Sequence, residues 1–200
     1  MLDYFKIVLK SYLDSKKTRL ANSDIAGVIR NTIPHSINSI INKDRRHEKY
    51  LIKGSAGVGK WASIPWVAIF DPRITTSAQE GYFPVYLFKD DMSGFYLSLI
   101  QGFTKIVELD KVDAMEFLKR RAADFRARIQ IVPKDFGEGK ITLTSGNSAV
   151  THLSAYYTAS NIISKYYSKS NLPPENNFNN DLLELLKVYE LLQKKVGLKI

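Results

Sequence analysis

The stretch Ser63-Ile64-Pro65-Trp66-Val67-Ala68-Ile69-Phe70 decides how the centre of the chain folds, because β-branched and aromatic residues dominate it. It predicts a strand, and similar runs lie on either side of it, separated by turn residues. One separator, Asp90-Asp91-Met92-Ser93-Gly94, is typical of a hairpin and makes its two flanking strands antiparallel neighbours. The predicted strands span about 49–54, 64–70, 82–89 and 94–101.

Outside these strands, apolar residues recur at helical spacing. Asn22 or Ser23 is the predicted N-cap of the second helix, and Pro34 is predicted to end it. A short strand is predicted at 141–144. The predicted helices span about 2–16, 22–31, 35–47, 112–129, 153–167 and 181–196. The pattern therefore predicts an α+β fold, with a central, mainly antiparallel β-sheet flanked by helices from both termini.

The charge of the chain narrows the class of its partners. A net charge of +9 over 200 residues is typical of proteins that meet nucleic acid or an anionic membrane surface. The excess lies in residues 1–60, where twelve Lys and Arg face five Asp and Glu. There is no cysteine, which excludes disulfides and thiolate metal sites. With no signal-peptide pattern and no apolar run long enough for a membrane span, we expect a soluble cytoplasmic protein.

The segment Gly54-Ser55-Ala56-Gly57-Val58-Gly59-Lys60 matches G-x-x-x-x-G-K, the opening of a phosphate-binding P-loop. Two features argue against that function. Trp61 stands where the motif needs a Ser or Thr hydroxyl for Mg²⁺, and Pro65 follows in a run that reads as a strand rather than a helix. The glycines are instead expected to form a flexible loop that lets the backbone approach a partner closely.

That loop and the strands after it carry a resemblance to a known family. The blocks are Ser55-x-Gly57-x-Gly59-x-Trp61-x-Ser63 continuing to Phe70, then Gly81-Tyr82-Phe83-Pro84-Val85-Tyr86-Leu87-Phe88, then Gly94-Phe95-Tyr96-Leu97-Ser98-Leu99-Ile100-Gln101-Gly102. In this order, over residues 50–104, they resemble the N-terminal DNA-binding domain of McrB-like modification-dependent (type IV) restriction proteins. The flanking helices agree only in kind and position.

The resemblance implies a specificity module that is not itself an enzyme and needs no cofactor. It would recognise 5-methylcytosine, or another C5-modified cytosine, in double-stranded DNA by base flipping, and it would target an AAA+ GTPase or nuclease effector in another domain or subunit. Residues 1–170 would be the modified-DNA-binding domain. Residues 171–200 would be a linker and a C-terminal helix that leads toward an effector domain or packs back.

By position, the resemblance places Trp66, Phe83 and Leu87 in the walls of the modified-base pocket. Val58 falls where a better-known relative has a tyrosine between the two loop glycines, and we assign it to the pocket as well. Aromatic faces suit a flipped base, which must recover the stacking it loses. Because Phe83 and Leu87 are four apart on one strand, they share a face with Val85, but a buried core face has the same pattern.

Basic residues upstream of and within the glycine loop are candidate DNA-backbone contacts, since phosphate binding needs Lys and Arg. A solvated basic loop is the alternative. The candidates are Arg45, Arg46, Lys49, Lys53 and Lys60. Farther along, Lys119, Arg120 and Arg121 have Glu116 and Asp124 as neighbours, which favours an ordinary helix surface there.

No catalytic or metal-binding pattern stands out. His35, His47 and His152 are isolated, and carboxylates such as Asp71 and Asp90 sit at turns, where Asp has a backbone role. Two other functions stay open: a small stand-alone DNA nuclease with an unrecognised active site, and a protein-interaction adaptor that uses its terminal helices.

Overall fold

A computed structural model describes residues 1–21, 23–43, 50–109, 113–138, 140–145 and 151–196 of the chain. The strands are β1 Leu51–Ser55, β2 Trp66–Phe70, β3 Tyr82–Phe88, β4 Gly94–Gln101 and β5 Asn161–Ser168. The helices are α1 Leu2–Ser15, α2 Asp24–Gly27, α3 Ile33–Lys43, α4 Thr104–Leu109, α5 Ala114–Arg128, α6 Thr151–Ser160 and α7 Glu175–Val196, with a π-helical turn Val28–Thr32 between α2 and α3.

The strands form one antiparallel sheet in the order β1-β2-β3-β4-β5, so each strand pairs with the next along the chain. The four strands predicted between residues 49 and 101 are all present, and the hairpin between β3 and β4 is confirmed by the pairing of Phe88 with Phe95. With helices contributed from both ends of the chain, the predicted α+β fold is confirmed.

The predicted helix over 153–167 is wrong in its second half, which is strand β5. Alternating apolar and aromatic residues such as Ile163 and Tyr167 suit a strand, and pairing with β4 extends the sheet. The strand predicted at 141–144 is also wrong. There the chain is irregular, although Ile141 and Leu143 are buried against the sheet. A local sequence pattern does not predict which segment pairs with a strand of the sheet.

The expected end of the second helix at Pro34 is wrong, because the chain stays helical from Asp24 to Lys43. The π-helical turn precedes the proline, and the Ile33 N–H donates to the Val28 carbonyl five residues back. This wider turn makes room for the proline ring. Ser23 is the N-cap of α2, as predicted, and accepts a hydrogen bond from the Ala26 N–H at 3.5 Å. Asn22 lies outside the described residues.

The two faces of the sheet are covered differently. One face packs against α1, α3 and α7 in the main hydrophobic core, where Phe5 of α1 and Phe178 of α7 lie between Tyr86 and Phe95. We call it the closed face. The other carries Phe83, Val85 and Leu87 in a smaller cluster with Ile141 and Leu143. We call it the open face.

The C-terminal helix α7 is tied to the sheet by a buried carboxylate. Asp71, just after β2, accepts hydrogen bonds from the Arg73 guanidinium at 2.6 and 2.9 Å and from the Gln193 amide at 2.8 Å. Burial raises the pKa of Asp71, but the hydrogen bonds from Arg73 and Gln193 outweigh it and hold the pKa below its ordinary value. Tyr189 of α7 accepts a hydrogen bond from the Asp71 N–H at 3.3 Å.

Within the described chain, every helix is too short or too polar to cross a bilayer.

Candidate nucleic-acid interface

The open face of the sheet holds a cavity of about 220 Å³. This is below the roughly 300 Å³ at which pockets for drug-sized ligands begin, so it suits one small group. None of the lining side chains carries a charge at neutral pH. They are Trp66, Ala78, Gln79, Phe83, Val85, Leu87, Ile100, Phe103, Thr104, Leu153 and Tyr157.

The floor of the cavity follows from strand alternation and register. In β3, Phe83, Val85 and Leu87 point to the same face, and all three are almost fully buried. Leu87 pairs with Trp66 on β2, and Phe83 pairs with Ile100 on β4, so the neighbouring strands widen the same apolar surface. The Phe83 ring also packs edge-on against Phe70, with centroids 4.8 Å apart.

Three of the four residues assigned to the pocket from sequence therefore line one cavity: Trp66, Phe83 and Leu87. Of these, Trp66 alone is partly exposed, so its ring is accessible to a ligand, while Phe83 and Leu87 form the floor. Phe83 both packs in the core and borders the cavity. Its ring contacts Phe70, and the residue is also part of the cavity lining.

The remaining walls come from residues that sequence reasoning did not single out. Phe103, just after β4, stacks edge-on against Tyr157 of α6 with ring centroids 5.1 Å apart. Leu153, one turn before Tyr157 on α6, is 40% exposed and borders the mouth. The i, i+4 spacing of Leu153 and Tyr157 could have indicated a shared helix face. What it could not indicate is that this face covers the sheet.

Tyr157 contributes a polar group to the mainly apolar wall of the cavity. Burial raises the pKa of its phenol to about 12, so the hydroxyl stays protonated at neutral pH. Within the described part of the chain this hydroxyl has no hydrogen-bond partner, although the ring is packed. It is therefore able to donate to, or accept from, a ligand. Gln79 and Thr104 are the other polar residues of the lining.

Val58 does not line the cavity. It stands at the tip of the glycine loop between β1 and β2, with 92% of its surface exposed. Gly57 and Gly59 on either side have φ values of +123° and +69°, which side-chain-bearing residues rarely adopt. A Cβ atom at Gly57 would also lie 2.0 Å from the Lys60 carbonyl oxygen, so the turn requires glycine there.

The base of this loop is held firmly. The Tyr12 hydroxyl of α1 donates to the Ala62 carbonyl at 2.7 Å, and the Trp61 indole N–H donates to the Thr18 carbonyl at 2.8 Å. Arg30 donates to the Gly57 carbonyl at 2.8 Å. The resemblance to a P-loop ends here, because the element after the loop is strand β2 and not a helix. What the loop presents to solvent is an apolar tip followed by Lys60.

Two of the predicted backbone contacts can be placed. Lys60 is exposed beside the loop tip. Lys53 pairs with Ala68 across β1 and β2, which puts it on the open face at the edge of the sheet, and its ammonium donates to the Thr76 carbonyl at 3.0 Å. Arg45, Arg46 and Lys49 lie outside the described residues. Among the residues that are described, no cluster of His, Asp and Glu could hold a metal ion.

A family model described as "MrcB-like, N-terminal domain" covers residues 7–194. That range includes the whole sheet, the glycine loop and all the helices apart from the first residues of α1 and the last two of α7. No curated protein matches the chain.

Proposed function

Because the chain belongs to the family of MrcB-like N-terminal domains, we propose that it is a DNA-reading module of a modification-dependent restriction system. In this proposal it binds duplex DNA, turns a C5-modified cytosine out of the helix and inserts the base into the cavity on the open face. DNA cleavage and NTP hydrolysis belong to a separate effector domain or subunit, an AAA+ GTPase or a nuclease. The observation that carries the proposal is the uncharged cavity with an accessible tryptophan, Trp66, at its wall.

A base that leaves the duplex loses stacking and pairing worth a few kcal/mol, which the protein must replace. Stacking on an aromatic side chain supplies about 1–3 kcal/mol per base. Trp66 offers the largest aromatic face in the cavity, and the Tyr157 hydroxyl offers a hydrogen bond to the polar edge of the base. An uncharged cavity accepts a neutral base without desolvating a charge on the protein.

A methyl group at C5 adds a small apolar volume to cytosine. Burying it against Val85 or Leu87 contributes about 0.8 kcal/mol, the value for one buried CH₂ group. Preference for a methylated base would then depend mainly on the shape of the floor, because such pockets discriminate single methyl groups only modestly. A hydroxymethyl group needs an additional polar partner.

The glycine loop supplies the second contact with DNA in this proposal. Apolar side chains that enter a duplex stabilise unstacked base steps, and Val58 is an exposed apolar residue on a loop whose base is clamped to α1. Lys60 beside it and Lys53 on the open face would contact phosphates, which makes affinity fall with increasing salt.

A binding titration tests the proposal. Three duplexes carry cytosine, 5-methylcytosine or 5-hydroxymethylcytosine at one site, and each is titrated with the wild-type chain and with Trp66→Ala. We expect the wild type to prefer a modified duplex, and Trp66→Ala to lower that affinity by about 5- to 150-fold, which corresponds to a stacking energy of 1–3 kcal/mol.

Tyr166→Ala is the matched control for Trp66→Ala. Tyr166 is an aromatic residue of β5 with 43% of its surface exposed, and it is absent from the cavity wall. Its removal should leave the preference for the modified duplex unchanged. Equal affinity for all three duplexes, with no change in Trp66→Ala, would refute base recognition in this cavity.

A further inference from the structure

A second cavity, of about 210 Å³, lies at the end of the sheet where β3 begins and β4 ends. Arg121 of α5 lines it together with Tyr82, Lys105 and Glu80. The function proposed above makes no use of this cavity. Its position and the positive charge of Arg121 nevertheless suit an anionic ligand.

Arg121 differs from the other arginines of α5. Arg120 pairs with Glu116 at 3.2 Å, Arg126 with Glu138 at 3.4 Å, and Arg128 with Asp124 at 3.0 Å. The Arg121 guanidinium has neither a hydrogen bond nor an ion pair with any described residue, and its carbon lies 5.3 Å from the centre of the Phe125 ring. It is also half-buried, unlike the exposed helix surface predicted for this segment.

A partly buried cation without an anionic partner is unfavourable, because burial removes water that nothing replaces. Consistent with this, burial lowers the pKa of Arg121. The Phe125 ring, and the Phe117 ring at 6.0 Å, compensate only in part, since a cation–π contact is weaker than a charged hydrogen bond. An anion entering the cavity would supply the missing partner.

The other charges of the cavity permit an anion. The Lys105 ammonium lies 2.8 Å from a carboxylate oxygen of Glu80, and both side chains are about half exposed at the rim. Their pairing leaves the positive charge of Arg121 uncompensated. A planar guanidinium binds phosphate oxygens through two parallel N–H groups, which an ammonium cannot do.

The linings of the second cavity and of the base cavity meet along the chain where β3 begins, with Tyr82 on the closed-face side and Phe83 on the open face. Gln79 and Thr104 line the base cavity, while their chain neighbours Glu80 and Lys105 line the second one. Hydrogen bonds from the Lys105 N–H to the Gln79 carbonyl and from the Gly102 N–H to the Gly81 carbonyl hold these two segments together. These two segments form the boundary that the backbone of a nucleotide held in the first cavity would cross to reach the second.

We propose that Arg121 binds a backbone phosphate next to the turned-out nucleotide, with Lys105 as a secondary contact. The inference rests on the proposed function, because it takes the DNA strand to be held at the neighbouring cavity. It assigns Arg121 as a positioning residue, which fixes the strand so that the base can enter.

The test uses Arg121→Met, with Arg120→Met as the matched control, in titrations of the 5-methylcytosine duplex over a series of salt concentrations. Both variants lose one positive charge from the same helix, but Arg120 is exposed and already paired. Methionine keeps an apolar stem against Phe125, so the fold should be retained, which circular dichroism verifies. We expect Arg121→Met to bind about tenfold more weakly. The slope of the logarithm of its affinity against the logarithm of the salt concentration should become shallower by about one, the value for one lost phosphate contact. Arg120→Met should keep the wild-type slope.

A duplex with a neutral methylphosphonate in place of each phosphate flanking the modified base completes the test. At one of these positions the methylphosphonate should weaken the binding of the wild type. It should have no further effect on Arg121→Met, because that variant has already lost the phosphate contact. If Arg121→Met binds with wild-type affinity and slope while Trp66→Ala loses its preference for the modified duplex, the inference is overturned and the base cavity stands. If the wild type binds no duplex at all, both proposals fall.

Discussion

The two faces of the sheet are built from the same strands by the same alternation, yet they are covered differently. On the closed face, α1 and α7 bring Phe5 and Phe178 against Tyr86 and Phe95, and all four side chains are fully buried. On the open face, α6 and the irregular segment around Ile141 cover the sheet less completely and leave the cavity. A strand pattern thus specifies two apolar faces, while the elements that pack on them determine which one can bind a ligand.

Equal truncations on the two faces should separate them most clearly. Phe178 contacts the rings of Phe5, Tyr86, Phe95 and Tyr167, with centroids 5.1–5.8 Å away. We expect Phe178→Ala to lower the free energy of unfolding by about 4 kcal/mol, because it leaves a void in the buried core. Phe83→Ala should cost about 1 kcal/mol less, since Phe83 already borders a cavity.

Urea denaturation of the two variants measures the difference. Binding supplies the second half of the comparison: Phe178→Ala, where it is folded, should keep the wild-type preference for modified DNA, whereas Phe83→Ala should lose part of it. Equal stabilities together with equal binding would mean that the faces do not differ in function.

The closed face also depends on the junction between Asp71 and α7. Removing the carboxylate charge with Asp71→Asn should destabilise the fold by about 2 kcal/mol, because charged hydrogen bonds from Arg73 and Gln193 are lost or weakened. The pKa of Asp71 is lower in the folded chain than its ordinary value of 3.8. The contribution is therefore complete above that value and is lost as the pH falls through the folded pKa.

Thermal unfolding between about pH 5 and about pH 3 tests this dependence. The difference in melting temperature between wild type and Asp71→Asn should shrink toward the acidic end. Asp124→Asn is the control, since Asp124 is an exposed carboxylate of α5 that pairs with Arg128 on the surface. A gap that stays constant across the range would show that the charge of Asp71 contributes nothing.

The same contrast explains what the sequence could and could not predict. Local alternation placed Phe83 and Leu87 on one face of β3, the family resemblance added Trp66, and the turn before Gly94 fixed the β3–β4 hairpin. The sequence could not predict that Tyr157 lines the cavity, because this depends on where α6 packs. The segment after Tyr157 was predicted to be helical, whereas it forms β5. Long-range packing, which a local pattern does not contain, decides both.

Pro34 is a case of the opposite kind, in which a local rule was applied too strictly. A proline inside a helix normally removes a hydrogen bond and ends the helix. Here the π-helical turn before Pro34 accommodates the proline ring, and the helix continues to Lys43. Nothing in the residues around Pro34 signals that turn.

The smallest change that compares the two faces of the sheet is the removal of one tyrosine hydroxyl from each. Tyr86 on the closed face has a buried hydroxyl without a hydrogen-bond partner among the described residues, and Tyr157 lines the cavity on the open face. Tyr86→Phe should raise the free energy of unfolding by up to about 1 kcal/mol, because it removes an unsatisfied polar group from the core. It should leave DNA binding unchanged.

Tyr157→Phe should do the reverse. Its stability should stay within about 0.5 kcal/mol of the wild type, because no hydrogen bond within the described chain is lost. Affinity for the modified duplex should fall about fivefold, the equivalent of one hydrogen bond of about 1 kcal/mol to the base edge. Both quantities come from denaturation and titration of the same two proteins. If Tyr157→Phe gained stability and kept its affinity, as expected of Tyr86→Phe, its hydroxyl would be a buried core group and the polar edge of the base would have to be recognised elsewhere.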